Sequence, residues 1–288
     1  MILILQSDVL RLTLDAAFGA RITSLTDLRS GRQWLVPGPC QGDAGDQADY
    51  GSAEARGWDE CFPTISKGSH PVWGDLRNHG AVWGRHWQVT AYPGPLHCTA
   101  GFTAPDFAFE RSLTLDGPVL TADYRVTSRA AVPLPYLWCQ HALLATAPPD
   151  ELRLHGIPEL VTGGVRFDWP HHPARDLTKV GPVQEGFAQK CYAMAPPGSA
   201  AEVIGPDGGI RFDWSPEVTA FGLWLDYGGW PQDGPVHQIA FEPTTAMADD
   251  LDHAEHLGQL RWLAPGQTDV WSVRIALTEP QDFKGTDP

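Results

Sequence analysis

The chain has 288 residues, a formal charge of −15 and a pI near 5.0, with 42 % hydrophobic against 19 % charged residues. That balance is far from the disorder regime. The acidic surplus excludes nucleic acid and an anionic membrane surface as partners, because both would be repelled over most of the protein.

The N-terminal stretch Met1 to Leu5 turns polar at Gln6 and has no basic residue before it, so it does not read as a signal peptide. Leu10, Leu12 and Leu14 alternate with Arg11, Thr13 and Asp15, the period-two pattern of a half-buried strand. Residues 36–57 and 66–79 read as long loops. Phe107, Phe109, Leu113 and Leu115 lead to Asp116-Gly117, and Leu120, Ala122, Tyr124 and Val126 return, predicting a β-hairpin with a positive-φ turn. A short helix is expected in Ala248 to Leu260, opened by acidic residues and closed before Gly258. Trp262 and the run Trp271, Val273, Ile275 and Leu277 predict a second hairpin around Ala264-Pro265-Gly266.

With Gly 30 and Pro 26, turns are frequent and long helices are not expected. No biased linker or internal repeat divides the chain, which is expected to be one domain over residues 1–288. The fold class is all-β, a large antiparallel β-sandwich. Cys40, Cys61, Cys98, Cys139 and Cys191 are odd in number and widely spaced, without a C-x-x-C. They suggest free thiols in a reducing, cytoplasmic compartment and no zinc ribbon. No run approaches the ~18 apolar residues of a membrane helix.

Four segments concentrate reactive groups. Asp59 and Glu60 lie between aromatic neighbours, on opposite faces if the segment is a strand. His79 sits among Arg77, Gly80, Trp83, Gly84 and Arg85, where the glycines allow close approach. His141 lies within an apolar stretch that also fits a hydrogen-bonded core histidine. Glu242 follows an apolar strand and precedes Pro243; partial desolvation there would suit a general base. His253-x-x-His256 beside Asp249, Asp250 and Asp252 imitates a metal site but reads better as a solvated acidic helix, so no metal is assigned. His171-His172 receives no role. Neither a phosphate-binding nor a dinucleotide-binding glycine loop is present, and no cofactor is expected.

Taken together, these segments resemble the aldose 1-epimerase (galactose mutarotase-like) family. The likeness runs in order from Gly19-Ala20-Arg21-Ile22 and Ser30-Gly31-Arg32 through Gly57 to Thr64 and Asn78-His79-Gly80 with Trp83-Gly84-Arg85. It continues through Trp138 to Leu144 and Phe241-Glu242-Pro243 to Leu263-Ala264-Pro265-Gly266-Gln267. The resemblance implies a supersandwich with a sugar pocket on one sheet face. It also implies Glu242 as general base, His141 as general acid, and His79 as a substrate-orienting partner. Arg85 and Trp83 become expected pocket wall, and Glu60 is counted with the substrate-binding residues. One departure bears on which sugar is bound: where the better-known members place an Asp against the sugar hydroxyls, the matching stretch here offers Lys190.

The residue types suit anomer interconversion without the resemblance. Ring opening needs a proton taken from the C1 hydroxyl and one given to the ring oxygen, and a Glu and a His can hold opposite protonation states near neutrality. The expected partner is a small-molecule sugar, and Arg77, Arg85 and Lys190 would admit an anionic one such as a phosphate, sulfonate or uronate. Two alternatives stand beside this: a sugar-binding or sensing protein without turnover, and a glycoside hydrolase pairing Glu242 with Asp59 or Glu60.

Overall fold

A computed structural model describes residues 1–279 except 39, 41, 47, 49, 52 and 53. Two large antiparallel sheets dominate. The ten-stranded sheet runs in the spatial order Ile2–Gln6, Leu10–Asp15, Arg21–Asp27, Trp58–Cys61, Cys139–Leu144, His237–Thr244, Ala220–Tyr227, Phe187–Met194, Glu159–Thr162, Val165–Asp168. The eight-stranded sheet runs Glu151–His155, Ala200–Gly205, Gly208–Trp214, Thr268–Thr278, Val119–Ser128, Phe107–Asp116, His97–Thr103, Gln88–Gly94. This is the all-β sandwich expected from the alternation. Leu10, Leu12 and Leu14 are buried and the residues between them are not, as the period-two pattern requires.

Aromatic side chains join the two sheets. Phe212 meets Phe241 with ring centroids 5.6 Å apart, and Trp138 sits 4.8 Å from Tyr124 and 4.9 Å from Trp271. One hydrophobic cluster takes residues from both sheets. The predicted hairpin pairs Phe107–Asp116 with Val119–Ser128 across Gly117, whose φ is +52°. The predicted helix is present as Leu251–His256, where the Asp250 side chain accepts the His253 amide at 2.8 Å and Gly258, at φ +67°, ends the segment.

Two expectations are corrected. The stretch 66–79 contains a small hairpin, Gly68–His70 with Gly74–Leu76. Arg261–Leu263 and Thr268–Thr278 do not pair with each other. The first pairs with Leu134–Tyr136, and the second runs between Val119–Ser128 and Gly208–Trp214, where Trp271 stacks on Tyr124. The turn was read correctly, but packing of the long strand against two sheet neighbours decided its pairing. The described residues of 36–57 carry no strand. Among the described residues no helix is long and apolar enough to cross a membrane.

Beside the aromatic seam lies a buried ion pair. Glu60 is 1 % exposed and its carboxylate accepts from Arg111 Nη1 at 2.7 Å, Trp58 Nε1 at 3.0 Å, Tyr124 OH at 3.0 Å and Trp138 Nε1 at 3.0 Å. Arg111 and Tyr124 come from the opposite sheet, so this carboxylate ties the layers together. Burial pushes its pKa up, against the opposing pull of Arg111 and the other donors. Glu60→Ala would leave the guanidinium buried and unpaired, an error worth about 3–5 kcal/mol. Urea unfolding should show a loss of that order, whereas a loss below about 1 kcal/mol would show the pair to be dispensable.

Candidate active site

Strand register assembles the site on the outer face of the ten-stranded sheet. Cys139 pairs with Thr244 and Leu143 with Ala240, which sets His141 opposite Glu242 on neighbouring strands. On the other side of Glu242 lies Gly222, and beyond it Tyr192; one step along, Ala240, Trp224 and Lys190 form the next row. His141 is itself opposite Asp59. Residues separated by about 200 positions thus share one face through pairing alone.

A cavity of about 250 Å³ opens over these rows, lined by His141, Glu242 and Lys190 and by Tyr50, Ser66, Leu143, Trp224, Trp230, Gln238 and Asp249. Glu242 is fully buried. Its Oε2 accepts a hydrogen bond from the Lys190 ammonium and lies 3.5 Å from Cys139 Sγ. Its Oε1 has no hydrogen-bond partner among the described residues and lies 3.7 Å from His141 Nε2. Gly222 makes this possible: a Cβ there would sit 3.1 Å from Glu242 Oε2 and 3.3 Å from Lys190 Cε. The lysine reaches Glu242 across a missing side chain.

Lys190 also lies 3.9 Å from Asp249, which accepts from Tyr192 OH. Burial alone would lower the lysine pKa, but the charges of Glu242 and Asp249 outweigh it and hold the ammonium protonated. Burial lowers the His141 pKa, with Lys190 acting in the same direction and Glu242, Asp59 and Asp249 opposing. His79 is pushed well down by burial, then by His141, Arg21 and Lys190.

His79 sits behind this cavity. Its ring centroid is 4.8 Å from that of His141 and 3.7 Å from that of Tyr50, and Tyr50 is the one that lines the cavity. The His79 backbone is left-handed, at φ +60°, pinned by its amide donating to Ile65 O at 2.6 Å and its carbonyl accepting from Phe62 N. Gly80 follows at φ +72°, where a Cβ would fall 2.2 Å from Phe62 O. Strain of this kind persists only where surroundings over-determine it.

Four expected pocket residues lie elsewhere. Glu60 faces the inter-sheet core, since the strand alternation sends it away from Asp59. Trp83 is 1 % exposed and packs edge-on against Phe18, Tyr50 and His79, behind the cavity. Arg77 donates to the carbonyls of Gly45, Ala48, Gly80 and Trp83, tying loops together. Arg85 pairs with Asp46 and donates to Ala81 O. Neither arginine lines the cavity that holds Glu242; both line a separate hollow with Lys67 and Asn78. Asp59 shares the sheet face with Glu242, but both its oxygens accept from Arg21 at 2.8 Å, and Arg21 also bonds Glu54 at 2.6 Å. His253 and His256 are on the exposed side of the helix, where His256 Nδ1 bonds the Asp252 carbonyl at 2.7 Å.

Sequence reasoning missed Tyr50, Ser66, Leu143, Trp224, Trp230, Gln238 and Asp249 as lining residues. Gln238 was within reach, because it shares a face with Ala240 and Glu242 by simple alternation. Tyr50 had no signal, lying in a Gly/Ala/Asp-rich loop without periodicity.

Solved structures match the whole architecture. The Slr1438 protein of Synechocystis sp. PCC 6803 superposes with a TM-score of 0.73 at 16 % identity, over 97 % of this chain and 96 % of its own. A galactose mutarotase related enzyme from Lactobacillus acidophilus gives 0.74 at 12 % identity, over 98 % and 99 %. The fold is that of galactose mutarotase-like proteins. A galactose mutarotase-like protein from Lactobacillus casei ATCC 334 agrees, at 0.72 and 15 % identity over 96 % and 100 %. No family model matches the chain, and no curated protein does. Within the galactose mutarotase-like fold, the cavity here lies on the open face of the larger sheet.

Proposed function

We propose that the protein is a mutarotase that interconverts the α and β anomers of an aldose by acid–base ring opening. The observation that carries this reading is the pair Glu242 Oε1 and His141 Nε2. They lie 3.7 Å apart, do not hydrogen-bond each other, and face one cavity of about 250 Å³. A hemiacetal presents two oxygens on one carbon. Glu242 takes the C1 hydroxyl proton, and the C1–O bond to the ring oxygen breaks as that oxygen receives a proton from His141. The aldehyde rotates about C1–C2 and recloses with the two roles exchanged. The pair must therefore hold one proton between them. Sugar binding alone would use the free carboxylate oxygen but would not need an imidazole placed to share a proton with it.

The hydrolase alternative loses support. Asp59 is held by the Arg21 fork, and Glu60 lies in the core. An anionic sugar also loses support, because Lys190 stands between Glu242 and Asp249 while Arg77 and Arg85 are engaged outside the cavity. We therefore favour an uncharged aldose. Lys190 acts by holding Oε2, which leaves Oε1 as the oxygen available to the substrate. His79 backs His141 from behind the cavity, whereas Tyr50 lines the cavity beside them.

NMR magnetisation exchange between anomers tests the reading. Wild type should accelerate exchange, and Glu242→Gln and His141→Asn should each lose at least about 10²-fold with unchanged circular dichroism. Exchange unaffected by Glu242→Gln would refute the base. Because burial lowers the His141 pKa below its ordinary 6.5, the shared proton is lost as pH rises through a value under 6.5, so kcat/KM should be highest on the acid side and decline towards pH 8. A plateau extending to pH 8 would remove His141 as the proton carrier.

Lys190→Met should lower kcat about 10–100-fold, the worth of one hydrogen bond to a charged group, with KM for neutral aldoses nearly kept and partial rescue by Lys190→Arg. A rise in KM confined to anionic sugars would instead make Lys190 an anion receptor.

A further inference from the structure

We infer that the cavity is built for an aldose carrying a second sugar ring, a reducing disaccharide, with the anomeric ring at Glu242 and His141 and the second ring at Gln238 and Trp230. This rests on the mutarotase reading for the first ring alone. The argument begins with length. Gln238 and Glu242 both line the cavity and lie four residues apart on one strand, about 14 Å at the rise of an antiparallel strand. That backbone span is longer than one pyranose ring and matches two linked rings more closely.

Chemistry divides the cavity the same way. The charged groups, Lys190, Glu242 and Asp249, gather with His141 at one end. Between the ends the lining is Leu143 and Trp224, packed over the buried Ala240, an apolar strip suited to the C–H face of a sugar. At the far end stands Trp230, 36 % exposed, its ring edge-on to Trp224 at 6.3 Å and 83°. This exposed ring is anchored. Asp226 Oδ1 accepts the amides of Gly229 at 3.0 Å and Trp230 at 3.1 Å, and the Trp230 carbonyl accepts from Val236 N at 3.1 Å. A large aromatic side chain held half in solvent at a cavity rim is a ready stacking surface.

Gln238 supplies the polar half of the subsite. The residue is 1 % exposed, yet its Oε1 has no hydrogen-bond partner among the described residues. A buried acceptor left unmade costs about 1–3 kcal/mol, which a ligand hydroxyl donating to it would recover. The second ring thus meets an amide and an indole, and no net charge.

Titration calorimetry with maltose, cellobiose and lactose against glucose and galactose tests the inference without turnover. At least one disaccharide should bind about tenfold or more tighter than its own reducing-end monosaccharide. Trp230→Ala and Gln238→Leu should each erase most of that advantage, cutting disaccharide affinity far more than monosaccharide affinity. Equal binding of one-ring and two-ring sugars by wild type, or variants that weaken both alike, would overturn the subsite. Anomer exchange on the same sugars separates the two readings. Disaccharide binding without accelerated exchange would leave the subsite standing and sink the mutarotase, whereas exchange on glucose without disaccharide preference would do the reverse.

Discussion

A carboxyl group with no exposed surface needs a partner that replaces water, and at Glu242 that partner is the Lys190 ammonium, reached across the bare Cα of Gly222. The rest of the site follows from this contact. It occupies one carboxylate oxygen and leaves the other facing His141. It cancels the charge of a cation that would otherwise attract anions. It also requires a glycine in the middle of a central strand, a position where the lost side-chain packing is a cost unless close approach is needed.

Asp59 and Glu60 show the same constraint solved twice by neighbouring residues. Strand alternation sends them to opposite faces, and each then needs its own cation: Arg21 on the pocket side, Arg111 between the sheets. Neither partner is near in sequence, since Arg21 is 38 residues from Asp59 and Arg111 is 51 residues from Glu60. The pocket face is thereby backed by fixed charges instead of adjustable ones, so His141 sits between a locked Asp59 and a lysine-held Glu242.

What could be read in the chain was what depends on local pattern. Period-two alternation foretold the sandwich strands, the Asp116-Gly117 hairpin and the opposite orientations of Asp59 and Glu60; the acidic start foretold the short helix. The roles suggested by Arg77 and Arg85 came from sequence proximity to His79, which is a poor guide inside a loop, where an arginine often serves the carbonyls of its own turns, as Arg77 does. Partners chosen by register, such as Thr268–Thr278 with two strands of the second sheet, depend on packing that no single segment encodes. Lining residues from irregular segments, Tyr50 and Trp230 among them, carry no periodic signal at all.

The charge arrangement also decides where selectivity can reside. The chemical end of the cavity is occupied by groups that bind one another: Lys190 with Glu242 and Asp249, Asp249 with Tyr192, Asp59 with Arg21. Groups so engaged discriminate poorly among substrates, because a change of ligand must compete with bonds already made. Discrimination is strongest where a buried polar atom is left unpaired, since a ligand lacking the matching hydroxyl then forfeits the full desolvation cost. Gln238 Oε1 is such an atom, and it lies four strand residues from Glu242, whose Oε1 is the other buried unpaired oxygen among the described residues lining the cavity. On the proposed reading, one unsatisfied acceptor serves the reaction and the other reads the substrate, and a single strand carries both.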